Sequence, residues 1–213
     1  MFNFYSFEGD LEMTTSQTTM TKSKTKLRVV DLVYCAMFAT LMMIGANITS
    51  FAPFMVVGGV PITLQTFFAI LAGLILGSKR GAIAVTVYML IGLAGAPVFA
   101  RFSGGFSQVL SPTFGFIVSF IFAAYVAGKM IEMKNTKMMY VAAALVAMII
   151  NYVFGTNWMY FAYKLWAAAP ENFTYQIAWL WMMPPLPKDI ILSVLSGFFA
   201  YRMQFILRGV RKS

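Results

Sequence analysis

The sequence predicts an all-α membrane protein, and composition, apolar runs and the position of basic residues lead to this prediction. Of its 213 residues, 60% are hydrophobic and only 11% are charged, whereas soluble domains carry about 25% charged residues. The apolar residues gather in long runs, and lysines and arginines lie between these runs rather than along one stripe. We therefore reject a soluble globular fold, an intrinsically disordered chain and, despite the net charge of +9, a nucleic-acid-binding protein.

Six apolar runs predict six transmembrane helices, packed as a compact bundle that forms one domain at 29–210. The first run has about 20 residues, enough to cross about 30 Å of hydrocarbon, and it exceeds the core of a signal peptide. The second and third runs are short, so we expect them to tilt, to lie inside the bundle or to extend into their flanks. The predicted helices are 29–48, 62–76, 81–93, 110–127, 138–160 and 190–207.

The distribution of basic residues predicts the orientation of the bundle. Residues 1–28 are polar and rich in Thr, Ser and Lys, which is typical of a disordered tail. With six spans, both termini share one side, and thirteen lysines and arginines fall on that side. Only three, Arg101, Lys164 and Lys188, fall on the opposite side. Because cytoplasmic loops carry the excess of positive charge, the sequence predicts that the tail and both termini are cytoplasmic.

Missing residue types and motifs argue against catalysis. The chain has no histidine and a single cysteine, Cys35. Histidine-based nucleophilic catalysis, histidine-ligated zinc and an intrachain disulfide are thereby excluded, and Cys35 is interpreted as a packing thiol. The sequence contains no H-E-x-x-H, no G-x-S-x-G and no phosphate-binding loop. The prediction is a chain that is not an enzyme, holds no metal and does not itself bind ATP through such a loop.

The connections opposite the termini are rich in glycine, proline and aromatic residues, at 50–61, 95–109 and 161–187. Such loops predict a lid or the mouth of a pocket. Polar side chains near this surface are few, and Gln65, Tyr88 and Asn151 are among them.

Two charged residues near the same surface have two interpretations each. Asp189 at the start of the last helix can cap the free amides of that helix or bind a ligand, and both roles can coexist. Arg101 can extend to the lipid headgroups or pair with an anionic ligand.

Small residues four apart on the first helix, Cys35/Ala39 and Ala36/Thr40, allow close helix approach, as do Gly73 and Gly77. Packing within the chain and docking of a partner membrane protein remain alternatives.

Four motifs in order resemble the BioY family, the biotin-specific substrate-binding (S) subunits of energy-coupling-factor (ECF) transporters. They are VPITLQTFFA at 60–69, LAGLILG at 71–77, GAPVFA-x-FSGG at 95–105 and SPT-x-GF at 111–116. The resemblance extends over roughly 30–210. Two departures are Phe114, where many relatives have glycine, and Leu192, where the family often has a lysine three residues after the acid.

The resemblance implies a multi-pass protein of a bacterial or archaeal cell membrane, with six helices and cytoplasmic termini. It also implies that this protein captures biotin. It implies partners: a transmembrane coupling subunit and two ATPase subunits that use ATP, with no cofactor in this chain. In that family small residues on the first helix contact the coupling subunit, which favours docking for Ala36, Ala39 and Thr40.

Biotin chemistry then assigns expected roles to the polar residues. Asp189 would accept from the ureido N–H groups, and Asn151 or Gln65 would donate to the ureido carbonyl. Arg101 or Lys188 would neutralise the carboxylate tail, and Lys188 would pair with Asp189 in the empty site. The walls for the apolar ring would be Phe99, Tyr88 and Trp158. The alternatives are another vitamin such as thiamin or riboflavin, an autonomous small-solute transporter or channel, and an intramembrane enzyme.

Overall fold

Seven α-helices contain most of the residues that the computed structural model describes, which are 29–48, 56–57 and 60–210. Apolar runs form helices because a helix satisfies its backbone polar groups internally. The helices are α1 (Val29–Asn47), α2 (Gln65–Leu76), α3 (Ser78–Leu93), α4 (Phe114–Met133), α5 (Lys137–Leu165), α6 (Tyr175–Leu180) and α7 (Leu186–Val210). The predicted tail at 1–28 lies outside the described residues, as do Arg211 and Lys212.

The all-α prediction is confirmed, and each of the six predicted helices is present with shifted ends. Helix α3 begins at Ser78 because Gly77 alone makes the turn, with φ at 84°. Glu132 of α4 accepts hydrogen bonds at 2.8 Å from both the backbone N–H and the hydroxyl of Ser78. These contacts satisfy the start of α3, so Lys79 and Arg80, which fall between the second and third predicted helices, belong to α3.

Other helix ends differ on both sides of the bundle, and α4 continues to Met133, beyond its predicted end at 127. Helix α4 starts at Phe114 because Phe106–Leu110 forms a short 3-10 segment. Helix α6 is absent from the predicted set, and Thr174 caps it by accepting from the N–H of Ile177. Helix α7 begins at Leu186, since a proline in the first turn leaves no hydrogen bond unmade. Two strands, β1 (Val56–Val57) and β2 (Val60–Pro61), pair antiparallel ahead of α2.

The short helix α2 lies inside the bundle, which was one of the three expectations for it. Ala69, Ile70 and Ala72 are fully buried, and α2 packs against α1, α3, α4, α5 and α7. A Cβ at Gly73 would stand 2.2 Å from the carbonyl oxygen of Ala124, so this glycine permits close approach of α2 and α4. Packing within the chain therefore accounts for Gly73.

Length and composition mark three of the described helices, α1, α4 and α5, as able to cross a membrane, and α2 as a shorter apolar helix. On α1, Ala36 and Thr40 are exposed, and the hydroxyl of Thr40 bonds back to the carbonyl of Ala36 at 3.0 Å. Ala39 is buried and packs among core residues that include Met42. A partner face on α1 can therefore include Ala36 and Thr40, whereas the Ala39 methyl is already used inside the bundle.

Candidate functional site

A cavity of about 400 Å³ lies where α2, α4 and α7 begin and the loops after α3 and before α7 meet. A volume of this size suits a small organic molecule. Both polar and apolar side chains line it, from segments far apart in the sequence. The lining residues are Val60, Pro61, Ile62, Thr63, Gln65, Thr66, Phe99, Ala100, Arg101, Ser103, Gln108, Ser111, Thr113, Phe116, Ile117, Phe120, Asn151, Tyr152, Met182, Pro185, Lys188 and Asp189.

Asp189 supplies a buried carboxylate to this cavity, with 6% of the residue exposed. The hydroxyl of Tyr152 donates to its Oδ2 at 2.7 Å, and Lys188 Nζ lies 2.8 Å from its Oδ1. Lys188 also donates to the backbone carbonyl of Thr63, which ties α7 to the segment before α2. The pairing of Lys188 with Asp189 that we expect for an empty site is therefore present. The two contacts of the carboxylate, with Tyr152 and Lys188, are with side chains rather than with the backbone amides at the start of α7.

Asn151 places an amide in the same cavity. The hydroxyl of Ser119 donates to its Oδ1 at 2.6 Å and shares its proton with the carbonyl of Phe116 at 2.8 Å. Because its carbonyl oxygen is held in this way, Asn151 keeps its amide N–H groups to donate to a ligand. Helix α5 extends to Leu165, five residues beyond the predicted end, so Asn151 lies about four turns from that end of the helix.

Gln65 lines the cavity, but its amide is engaged. Its Nε2 donates to the hydroxyl of Tyr88 at 2.6 Å, and its Oε1 accepts from the hydroxyl of Thr63 at 3.1 Å. Both ends of the Gln65 amide are therefore held by neighbouring side chains of the protein.

Two of the three predicted walls are outside the lining of the cavity. Tyr88 is buried behind it and donates to the carbonyl of Val98 at 3.1 Å. Trp158 packs between the rings of Phe114 and Phe154, which places it in the α4–α5 interface. Of the three, Phe99 lines the cavity, and it packs edge-on against Tyr88 with ring centroids 5.6 Å apart.

Sequence reasoning missed several lining residues. Tyr152 had a usable signal, because it directly follows Asn151 within an otherwise apolar run. Phe116 and Phe120 lie one turn apart on α4 and both line the cavity. They had no signal, since the chain contains 21 phenylalanines and their spacing is ordinary for a helix.

No group of three or more His, Cys, Asp or Glu that could hold a metal occurs among the described residues.

The ring of Phe116 depends on Gly155 of α5 for its position. A Cβ at Gly155 would lie 2.1 Å from Cδ1 of Phe116, so the glycine lets the ring sit against the helix. We expect Gly155→Ala to push this ring and to destabilise the protein by about 1–3 kcal/mol, as overpacking does. Thermal unfolding in detergent measures this. The double variant with Phe116→Leu should recover most of the loss, and a single variant as stable as the parent would contradict the assigned contact.

Three comparisons relate the chain to known proteins. The model of the BioY family matches residues 17–209. The BioYB protein of Bacillus subtilis (strain 168), named as a candidate biotin transporter, is 48% identical over 190 residues, which cover 88% of this chain and 92% of that protein. The biotin transporter BioY of Thermotoga maritima is 32% identical over 175 residues, covering 82% of this chain and 95% of that one.

A solved structure is similar in fold. It is the crystal structure of the S-component for biotin from an ECF-type ABC transporter, with a TM-score of 0.59 and 23% sequence identity. The match covers 83% of this chain and 91% of that chain. At this level of identity the similarity concerns the arrangement of the helices.

Proposed function

Because the chain belongs to the BioY family, we propose that it captures biotin as the S component of an ECF-type transporter. The family is one of transporter components and not of enzymes. One observation carries the assignment to biotin: a single cavity holds a buried carboxylate, an available amide donor and an arginine, at Asp189, Asn151 and Arg101.

The polar groups of the cavity match the ureido ring of biotin, which has two N–H donors and one carbonyl acceptor. The Asp189 carboxylate accepts from the N–H groups, and each such charge-assisted bond contributes about 1.5–3 kcal/mol. The amide of Asn151 donates to the carbonyl. Tyr152 and Lys188 orient and neutralise the carboxylate, which makes its burial tolerable.

The apolar ring and the carboxylate tail occupy the rest of the cavity. Phe99, Phe116 and Phe120 give the apolar surface. Both predicted cations line the cavity, and Lys188 is bonded to Asp189 and to the Thr63 carbonyl. The tail is assigned to Arg101 because a guanidinium can bind a carboxylate through two parallel N–H groups.

The membrane topology is part of the proposal. Helices α1 to α5 and α7 are the six spans of a multi-pass protein in the cell membrane, forming the domain at 29–210. The excess of lysine and arginine on one side supports cytoplasmic termini and a cytoplasmic tail at 1–28.

The proposed partners are the ECF transmembrane coupling subunit and two ATPase subunits. This sequence has no phosphate-binding loop, so the proposal leaves the binding of ATP to those partners. Their ATP hydrolysis drives the release of biotin inward. The exposed Ala36 and Thr40 on α1 are the proposed contact with the coupling subunit.

Direct binding tests the proposal. We expect the purified full-length protein in detergent to bind biotin with a measurable Kd in isothermal titration, and native mass spectrometry to detect co-purified biotin. Thiamin and riboflavin should not compete, since neither has the ureido ring or the carboxylate.

Other outcomes distinguish the alternatives. Binding of thiamin or riboflavin in place of biotin would keep the architecture and replace the ligand. Biotin uptake by cells that express this chain without any ATPase partner would instead indicate an autonomous transporter.

A further inference from the structure

The loop that brings Arg101 and Phe99 to the cavity has an unusual backbone. We define the arginine loop as residues 98–103, between α3 and the short 3-10 segment at Phe106–Leu110. Arg101 and Phe102 both lie in the left-handed region, with φ at 62° and 53°. Side chains other than glycine rarely adopt this conformation, and two in succession require that surrounding contacts hold them.

Asn47, the last residue of α1, provides such contacts from outside the loop. Its Oδ1 accepts from the backbone N–H of Phe102 at 2.7 Å, and its Nδ2 donates to the carbonyl of Val98 at 3.3 Å. The same Nδ2 bonds to the carbonyl of Met43, one turn back on α1. One amide therefore joins the two sides of the arginine loop to the end of a helix, and only 6% of Asn47 is exposed.

A second chain of hydrogen bonds reaches the same carbonyl of Val98. The Val98 carbonyl also accepts from the hydroxyl of Tyr88, which in turn accepts from Gln65 of α2. Within the loop, the N–H of Phe99 donates to the carbonyl of Ser103 at 3.0 Å. Val98 is thus fixed from two helices, whereas the left-handed pair is held at Phe102 by Asn47.

We propose that Asn47 is a positioning residue for the anion-binding end of the cavity. By fixing the arginine loop in its left-handed form, it sets where the Arg101 guanidinium stands without touching the ligand itself. This role rests on the proposed function, in which Arg101 meets the carboxylate of biotin. Asn47 does not line the cavity.

The ligand-free protein gives the first test. Trypsin cleaves peptide bonds that follow arginine, so the Arg101–Phe102 bond is a potential site of cleavage. A protease cuts a bond in a folded loop mainly when the loop opens locally. The Asn47→Ala variant lacks the amide that holds the loop, so the loop should open more often. We expect the rate of cleavage at Arg101–Phe102 to rise by about tenfold. Unchanged cleavage there would overturn the proposal whatever the ligand is.

Binding gives the second test. In Asn47→Ala, the Kd for biotin should rise about tenfold, while the Kd for biotin methyl ester, which lacks the charge, should change little. In an Arg101→Ala background, Asn47→Ala should add almost nothing, because residues that act as a unit are not additive. Equal losses for biotin and its ester, or fully additive losses, would show a merely structural role.

Asn157→Ala is the matched control. Asn157 also bonds back to a carbonyl on its own helix, that of Val153 at 2.7 Å, and accepts from Tyr175. It does not line the cavity, so its loss should leave both the cleavage rate at Arg101 and the preference for the free acid unchanged. A parent protein that fails to bind biotin would overturn the proposed function, whereas the cleavage test would still decide the role of Asn47 in the loop.

Discussion

Asp189→Asn is expected to abolish high-affinity biotin binding while the protein still folds. The substitution keeps the shape of the side chain but removes the charge that accepts from the ureido N–H groups. It also leaves Lys188 beside the cavity without its counterion. Loss of charge-assisted bonds worth about 1.5–3 kcal/mol each, for two N–H donors, predicts a Kd raised by at least about a hundredfold. Isothermal titration with the purified variant measures this.

Asp31→Asn is the matched control for that experiment. Asp31 is buried to the same degree as Asp189, at 5% against 6% exposed, and pairs with Arg80 at 3.1 Å. It lies in the first turn of α1 and does not line the cavity. Both variants change one buried carboxylate, so both should lose stability. Only Asp189→Asn should lose affinity for biotin. Unchanged affinity in Asp189→Asn, or equal losses in the two, would refute the ligand role of Asp189.

Ala36→Trp is expected to prevent assembly with the coupling subunit and leave biotin binding intact. Ala36 is exposed on α1, and its small side chain would let a partner helix approach closely. An indole there separates the two helices and removes most of their contact. Co-purification of the ATPase subunits with the tagged variant measures assembly, and titration of the isolated variant measures binding.

Two further variants make that result specific. Val153→Trp adds the same bulk to an exposed position on α5 and should leave assembly unchanged. Ala39→Trp should disrupt folding, because Ala39 is buried against Met42 and its neighbours. If Ala36→Trp still recovers the ATPase subunits in full, the partner face lies elsewhere than on α1.

The sequence located the helices well and their ends less well. Each of the six predicted helices is present, because a run of apolar residues is a local property. Their ends depend on partners that are distant in the sequence. Glu132 satisfies the start of α3 from α4, 54 residues away from Ser78. Nothing near 78–80 reveals that contact.

Only part of the cavity lining is predictable from the sequence, because the rest also depends on contacts between distant residues. Asp189, Asn151 and Arg101 were conspicuous because polar groups are rare in or beside apolar segments, and all three line the cavity. Trp158 was chosen by type and position, yet it faces the α4–α5 interface. Gln65 and Tyr88 are predicted separately, as a donor and as a wall, but the structure joins them by a hydrogen bond, with Gln65 at the cavity and Tyr88 outside its lining.

By itself the sequence determined that this chain is an all-helical membrane protein without histidine chemistry, and which few polar residues could serve a ligand. These properties follow from the cost of placing each residue in hydrocarbon, which is nearly additive along the chain. Only the tertiary structure decided which distant groups bond to each other: Tyr152 donates to Asp189, Lys188 donates to the carbonyl of Thr63, and Asn47 bonds to the arginine loop. Each of these contacts joins residues 37 to 125 positions apart, so helix packing, and not local pattern, sets them.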